Sequence, residues 1–341
     1  MSTISEKSEI LFLYESKYSM PNGDPFTGEQ RFDEEAKKVL VSDVRMKRFI
    51  RDFLLELGHE IYVVNDKSQI ESGDESGAAS RLNALIEKYK TSPEIKVKTE
   101  DDANTDEKAK AKKGKGKNQL GIDVVKLLQK CIDVRLFGGI STKEGMAVNL
   151  TGPVQFALLN PALNKSDLRI HQNTSVFSSS AEKSRGAIGT TSLVPFSLCQ
   201  IHGWVNPFSA KHSGLTQSDL DIMFAALWHS VNNANTRSKS NQSSALLIQI
   251  VYNEVTDKLY AADKLLSIDA EKQDEQIRDW DDFSLNLDKL IQAAASSKVK
   301  VINYFTENET LNNSLEGQPK FHKMTLASLT ANQKNDESSA H

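Results

Sequence analysis

The chain has 341 residues, of which 38% are apolar and 26% are charged, and its formal net charge is −4. This length and composition indicate one large or two modest globular domains. The slight acidic excess excludes a uniformly basic nucleic-acid binder, although not a locally basic one. No apolar run approaches the roughly 20 residues needed to cross a bilayer, so we expect no membrane partner. We also expect no signal peptide. Two distant cysteines, Cys131 and Cys199, favour a reducing cytoplasm.

Three elements are predicted before residue 65. Residues 9–18 mix aliphatic and aromatic side chains, which is typical of a buried strand. A turn-rich loop, MPNGDPFTGEQ, follows, and Ser42 or Asp43 can cap a helix that stops at Gly58. The apolar face of this helix consists of Met46, Ile50, Phe53, Leu54 and Leu57. The sequence HEIYVV at 59–64 predicts a second strand.

The composition becomes polar between about Lys67 and Gly121. A short helix is predicted at 81–90, and residues 99–118 are of low complexity. The low-complexity stretch cannot bury enough apolar area to offset the entropy that it would lose on ordering, so we expect it to be mobile. Residues 122–131 have a helical pattern. The change of composition therefore predicts that the stretch from about residue 67 to about residue 121 is an insertion.

The remainder of the chain alternates strands and helices. Residues 175–191 predict a protruding polar loop or ribbon. The elements predicted after it are a strand at 197–205, a helix at 217–231, a strand at 245–254, a helix at 283–295 and a strand at 299–305. Without the inserts, the order is strand, helix, strand, strand, helix, strand. This order is typical of ferredoxin-like and RNA-recognition domains, so we expect an α+β fold with a palm of that kind.

The motifs of common enzymes are absent. The sequence has no phosphate-binding loop, no G-x-G-x-x-G, no G-x-S-x-G and no H-E-x-x-H. Its seven histidines are scattered without the spacing of metal ligands. We therefore expect no catalytic residue, no metal and no cofactor.

Charge is distributed unevenly along the chain. Residues 31–51 hold seven bases and four acids, residues 108–117 hold six lysines and no acid, and from Asp269 onward acids outnumber bases by thirteen to eight. Such asymmetry suggests one face for a polyanion, although a charge run can also be solvated surface.

The helix at 42–57 carries the most suggestive cations. Arg45, Lys47, Arg48 and Arg51 surround its apolar face, where they could grip phosphates. The alternative is an ordinary solvated amphipathic helix. The preceding loop can also turn backbone N–H groups toward an anion. Its acids, Asp24 and Asp33, have two interpretations, as turn formers or as carboxylates placed against bound RNA.

These residues resemble a known family. Asn22-Gly23-Asp24-Pro25, then Arg31 with Asp33, then VSDVRMKRFIRD at 41–52 resemble the N-terminal signature of the CRISPR-associated Cas-seven proteins, especially types I-B and I-C. Those branches read roughly NPNGDP, PRxD and VTDVRLKRxIRDYL. VRLFGG at 134–139, LTGPVQF at 150–156 and LVPFSLCQIHGWVN at 193–206 extend the resemblance over most of residues 9–255. The departures are Met20 for the first Asn, Phe32 between Arg31 and Asp33, and Ser42 for Thr.

The resemblance implies a non-catalytic backbone subunit of a type I Cascade surveillance complex. Its implied partners are CRISPR guide RNA, the target DNA strand, other copies of the chain stacked head to tail, and other Cascade subunits. The implied regions are a palm at 1–66 and, together with C-terminal elements, at 193–325, a helical finger insertion at 67–134, a return to the palm or web at 135–170 and a thumb hairpin at 171–192. From their polar composition, residues 326–341 are expected to form a disordered tail.

The RNA-binding residues expected on this basis are Asn22, Gly23, Arg31, Ser42, Arg45, Lys47, Arg48, Arg51, Arg135, Phe137, Lys183 and Arg185. Among them, Lys47 and Arg51 would hold guide phosphates. Two alternatives stay open. One is a guide-directed endoribonuclease of the type III kind, with Asp33 or Asp24 as the loop aspartate. The other is a stand-alone RNA-binding module, against which the missing aromatic RNP signature counts.

Overall fold

A computed structural model describes residues 2–64, 77–95, 121–174 and 188–329 of the chain. The predictions for the low-complexity stretch at 99–118, for most of the thumb with Lys183 and Arg185, and for the end of the tail concern residues outside these ranges.

The described residues form fourteen strands and eight α-helices. The strands are β1 Ser8–Ser19, β2 Phe32–Asp33, β3 Lys38–Ser42, β4 Gly138–Ser141, β5 Val148–Thr151, β6 Val154–Phe156, β7 Leu159–Pro161, β8 Arg169–Thr174, β9 Ile188–Val205, β10 Gln242–Tyr252, β11 Ser267–Asp269, β12 Ser284–Asn286, β13 Val299–Phe305 and β14 Phe321–Lys323. The helices are α1 Asp43–Glu56, α2 Ala78–Tyr89, α3 Val124–Leu128, α4 Ile132–Phe137, α5 Pro207–Ser213, α6 Gln217–Asn232, α7 Asp288–Ala294 and α8 Glu309–Leu315.

A seven-stranded sheet organises this α+β fold. Its strand order is β14-β13-β10-β1-β9-β6, and β8 pairs with an extension of β9. Strand β1 lies between β9 and β10 and is antiparallel to both, so that Ile10 faces Gly203 on one side and Gln249 on the other. The pairing of β13 with β14 is parallel, which makes the sheet mixed.

Both faces of this sheet are buried. Along β1 the side chains of Phe12 and Tyr14 enter one hydrophobic cluster, and those of Leu11 and Leu13 enter another. Helices α1 and α6 cover the first face, and residues 265–315 cover the second. Because successive side chains of a strand point to opposite faces, a strand buried on both faces needs the unbroken apolar run that the sequence has here.

A third cluster belongs to the predicted insertion. It joins α2, α3 and α4 through Leu82, Leu85, Leu127, Leu128 and Val134. The predicted helix at 81–90 is confirmed as α2. The helix predicted at 122–131 is shorter than expected, because α3 covers only Val124–Leu128 and a second short helix, α4, begins after Cys131, whose backbone is extended.

The strand predicted at 59–64 is also wrong. The backbone N–H groups of Tyr62 and Val63 donate to the two carboxylate oxygens of Asp133, at 2.7 and 3.1 Å, and this segment has no strand partner in the described part of the chain. The buried Asp133 carboxylate thus accepts the backbone hydrogen bonds that a neighbouring strand would otherwise accept. The short strand β6 pairs with β9 at the edge of the central sheet instead.

The helix predicted at 283–295 is shorter than expected. Strand β12 takes up its first residues and pairs with β11, so that α7 begins only at Asp288. None of the helices in the described ranges combines the length and the apolar composition that a membrane crossing requires.

Candidate nucleic-acid interface

The start of helix α1 is built by two side chains. Ser42 is the N-cap residue, and its Oγ accepts a hydrogen bond from the backbone N–H of Arg45 at 3.3 Å. The Ser42 N–H donates in turn to Oδ1 of the buried Asn22 at 2.7 Å. Asn22 therefore joins the turn-rich loop to the first turn of the helix, where the aligned backbone dipoles give a partial positive charge.

The loop before α1 is held by Asp24. Its Oδ1 accepts from the N–H groups of Phe26 and Thr27 at 2.9 and 3.3 Å, and its Oδ2 lies 3.0 Å from Nη2 of Arg31. The Phe26 hydrogen bond is the main reason that the pKa of Asp24 is below its ordinary value. Asp24 thus acts as a turn former, which is the first of the two interpretations given for it in the sequence analysis.

Gly23 sits in a tight position in the same loop. A Cβ at this residue would lie 2.7 Å from the Sδ atom of Met20. Asp33 also forms a turn, since its Oδ1 accepts from the N–H groups of Glu35 and Ala36. In the described ranges, His, Cys, Asp and Glu side chains do not cluster in threes that could hold a metal ion.

A groove of about 480 Å³ lies between the loop, the start of α1 and the segment before β7. Its lining residues are Asn22, Gly23, Pro25, Arg31, Ser42, Asp43, Val44, Arg45, Arg48, Leu158 and Leu159. Six of the twelve expected RNA-binding residues are thereby brought together, namely Asn22, Gly23, Arg31, Ser42, Arg45 and Arg48. The sequence analysis missed Val44, Leu158 and Leu159, because exposed apolar residues in a loop or a helix carry no motif.

Two arginines of the groove hold unused donors. The Nε atoms of Arg31 and Arg45 are buried, and neither has a hydrogen-bond partner among the described residues. The Arg45 guanidinium lies 3.7 Å from the centre of the Phe49 ring, and burial lowers its pKa to about 10, so it remains charged at neutral pH. The guanidinium groups of Arg31 and Arg45 therefore bring two positive charges to the lining of the groove.

Arg48 is the most exposed cation of the groove. Its Nε atom is 2.5 Å from Oδ2 of Asp52, and both side chains are more than 40% exposed. An exposed pair of this kind contributes only about 0–1 kcal/mol. A phosphate can therefore replace Asp52 at little cost.

Lys47 and Arg51 lie on a different side of α1. The Lys47 Nζ atom is 3.1 Å from Oδ2 of Asp43 and 3.0 Å from Oε1 of Gln155. Arg51 Nε donates to Oδ2 of Asp133 at 3.0 Å, and this carboxylate is completely buried. Both cations already have partners, and their side chains are only 13% and 15% exposed.

Arg135 and Phe137 are also engaged within the chain. The Arg135 guanidinium donates to both carboxylate oxygens of Asp219, at 2.6 and 3.0 Å, and to the carbonyl oxygen of Gln129. Burial by itself would raise the pKa of Asp219, but Arg135 and Thr216 hold it below its ordinary value. Phe137 is buried against Phe156.

Lys239 is a further cation near this region that the sequence analysis missed. Its Nζ donates to the carbonyl oxygen of Met20 at 2.9 Å. Burial, with a smaller effect of the Arg45 charge, lowers its pKa to about 8. Lys239 stands in a turn-rich segment without a recognisable pattern, so only the tertiary structure shows that it lies near Met20 and Arg45.

The base of the expected thumb is an antiparallel pair of strands. Arg169 to Thr174 in β8 face Leu193 to Ile188 in β9. Lys183 and Arg185 lie outside the described residues.

Three comparisons relate the chain to known proteins. Residues 6–288 match the family model described as CRISPR-associated protein Cas7. The chain is 25% identical over 313 residues to the CRISPR-associated protein Cas7 of Haloferax volcanii, an alignment that covers 86% of this chain and 83% of the relative.

Solved structures give weaker similarities. A chain of a CRISPR RNA-guided surveillance complex in a pre-nicking state has a TM-score of 0.47 and 16% identity, and the alignment covers 95% of both chains. A chain of another CRISPR RNA-guided surveillance complex has a TM-score of 0.48 and 12% identity, with 94% of this chain and 95% of that chain covered. Because the family model matches most of its length, the chain belongs to the CRISPR-associated Cas7 family.

Proposed function

We propose that this Cas7-family chain is a non-catalytic backbone subunit that binds CRISPR guide RNA in a type I Cascade complex and so supports RNA-guided recognition of target DNA in antiviral defence. The observation that carries the proposal is the arginine groove, by which we mean the groove lined by Arg31, Arg45 and Arg48 at the start of α1. Its three guanidinium groups and the helix N-terminus suit phosphate oxygens. Contacts to phosphates are independent of base sequence, as a subunit that serves many different guides requires.

The expected RNA-binding residues divide into three groups under this proposal. Arg31, Arg45 and Arg48 contact the guide, and Asn22, Gly23 and Ser42 shape the loop and the helix start that carry them. Lys47, Arg51 and Phe137 support α1 from another side, and Arg135 joins α4 to α6 through Asp219, because each is already engaged by a buried or half-buried partner. Lys183 and Arg185 belong to the proposed thumb at 171–192, which is supported by the β8–β9 pairing at its base.

We further propose that the central sheet is a ferredoxin-like palm of the RNA-recognition kind. The supporting observation is the antiparallel order β10-β1-β9-β6, in which α1 precedes β6 and α6 precedes β10. Numbered along the chain these strands are fourth, first, third and second, and both helices pack on one face. The separate core of α2, α3 and α4 supports a finger insertion at 67–134. The web at 135–170 connects it to the thumb.

The proposed mode of assembly follows from the binding of several copies of the chain along one guide RNA. Copies that bind successive stretches of a single guide must touch head to tail, through a heterologous contact that does not close into a ring. Other Cascade subunits would then bind at the two ends of the stack. The two cysteines are buried and unpaired, which fits a reducing cytoplasm.

The test is a pair of matched double variants of the full chain. R31Q/R48Q removes two charges from the arginine groove, and K298Q/K300Q removes one charge directly before β13 and one within it, at positions that do not line the groove. Binding of single-stranded RNA is measured by fluorescence anisotropy at several salt concentrations. R31Q/R48Q should weaken binding equally for unrelated sequences and flatten the log–log salt slope by about 0.7 per lost contact, whereas the control should not.

Unchanged affinity of R31Q/R48Q, or a loss confined to one RNA sequence, would contradict the phosphate groove. The proposal also predicts that the chain, expressed with its CRISPR locus, co-purifies with one discrete small RNA. Cleavage of complementary RNA in Mg²⁺, lost on Asp33→Ala or Asp24→Ala, would instead favour the endoribonuclease alternative.

A further inference from the structure

RNA-recognition sheets present aromatic side chains on an open face, where unpaired bases stack. The central sheet of this chain has no such face. Phe12 and Tyr14 on β1 are completely buried beneath α1 and α6, and the opposite face is covered by residues 265–315. If bases stack on this protein, the aromatic side chain must come from outside the sheet.

Phe26 meets this requirement. It is 96% exposed, and it follows Pro25, which lines the arginine groove. Tyr260 is the other aromatic side chain of comparable exposure in the described ranges, at 97%, and unlike Phe26 it has no chain neighbour that lines the groove. Exposure of a large apolar side chain beside a cationic groove is the feature that needs an explanation.

The backbone that carries Phe26 is well held. The Phe26 N–H donates to Asp24, whose other oxygen binds Arg31, and the Gly28 N–H donates to the Asp24 carbonyl oxygen at 2.9 Å. Gly28 turns the chain with a φ of +72°, which suits glycine. Because this loop is already ordered, a ligand that stacks on Phe26 does not have to order it.

The groove beside Phe26 combines charge with apolar surface. Val44 and Leu158 line it and are 68% and 76% exposed, next to Arg45 and Arg48. A cationic track for the backbone with an adjacent aromatic group for the bases is the arrangement that binds single-stranded nucleic acid. Charge complementarity with phosphates therefore favours an RNA strand as the occupant over an apolar peptide.

We propose that Phe26 is a stacking platform for an unpaired base of the RNA strand whose phosphates lie in the arginine groove. This inference rests on the proposed function of the groove and adds a base contact to it. Stacking on an aromatic ring tolerates any base, so it strengthens binding without selecting a sequence.

The experiment compares two RNA ligands of equal length on the full chain. One is an ordinary single-stranded RNA, and the other is the same ribose-phosphate strand with abasic residues throughout. F26A should weaken binding of the ordinary RNA by about 5- to 100-fold, leave binding of the abasic strand unchanged and leave the salt slope unchanged. F26W should keep the affinity, and the matched control Y260A should bind like the wild type.

Other outcomes would overturn the proposal. An equal loss on both strands, or no loss on the ordinary RNA, means that Phe26 does not stack on a base. Normal binding of a short RNA with failed multimerisation on a long one means that Phe26 contacts a neighbouring copy of the chain. Failure of the groove itself is distinguishable, because R31Q/R48Q would then bind the abasic strand as tightly as the wild type does.

Discussion

The ion pair between Arg51 and Asp133 offers a direct test of how the cations of α1 are used. Arg51 Nε lies 3.0 Å from the Asp133 carboxylate, which is 0% exposed. That carboxylate also accepts the N–H groups of Tyr62 and Val63. Arg51→Ala would leave a buried negative charge with two hydrogen bonds and without its cation.

The expected cost follows from this burial. Removing one partner of a buried ion pair costs about 3–5 kcal/mol, because the other charge stays desolvated. The two backbone N–H groups still stabilise the Asp133 carboxylate, which favours the lower end, at about 3 kcal/mol. A domain is stable by only about 5–15 kcal/mol, so the loss is a large part of the total.

Urea unfolding followed by circular dichroism measures this change. Arg48→Ala is the matched control, since it removes an arginine of the same helix whose pair with Asp52 is exposed, and its stability should change by less than about 0.5 kcal/mol. A double-mutant cycle with Asp133→Asn isolates the pair itself. Equal unfolding midpoints for Arg51→Ala and Arg48→Ala would refute the structural role of Arg51. Arg51 would then again be a candidate for a phosphate contact.

Two further predictions concern stability. Gly138→Ala should destabilise the fold by at least about 2 kcal/mol in the same unfolding assay, because Gly138 has a φ of +83° and a Cβ there would lie 2.1 Å from the Leu150 carbonyl oxygen. Gly189→Ala, where a Cβ meets nothing within 4 Å, is the control, and similar effects at both sites would contradict the steric argument. Lys239 has a folded-state pKa of about 8 against an ordinary value near 10.5, so between these values the unfolded chain binds more protons and stability rises with pH. Relative to Lys239→Met, the wild type should therefore gain about 2 kcal/mol between about pH 7.5 and about pH 9.5, and parallel pH profiles of the two proteins would exclude this assignment.

The sequence was informative where an element is long and its side-chain pattern is local. Strand β1 was predicted almost to the residue, because burial of both faces requires a continuous apolar run. Helix α6 was predicted from its amphipathic pattern, and its start is capped by Thr216 and Asp219, whose side chains each bond the other's backbone N–H. The family was likewise apparent from motifs that are contiguous in the chain.

Predictions failed where a distant residue decided the outcome. The segment 59–64 has the composition of a strand, but Asp133, about 70 positions later, takes its N–H groups. The strand that was expected at 59–64 is replaced in the sheet by β6, which pairs with β9. With three residues, β6 is too short to show a periodic pattern in the sequence.

For the same reason, the candidate site could be predicted only in part from the sequence. The sequence alone placed a cluster of cations on helix α1 and a turn-rich loop in front of it, because both are local patterns. It could not separate Arg45 and Arg48, which line an open groove, from Lys47 and Arg51, which are engaged by Gln155 and Asp133. Whether a cation is free for a phosphate depends on which carboxylates and amides the fold brings within about 3 Å of it. Those partners stand 82 and 108 positions away along the chain, so only the tertiary structure decided which cations line the open groove and which are paired within the fold.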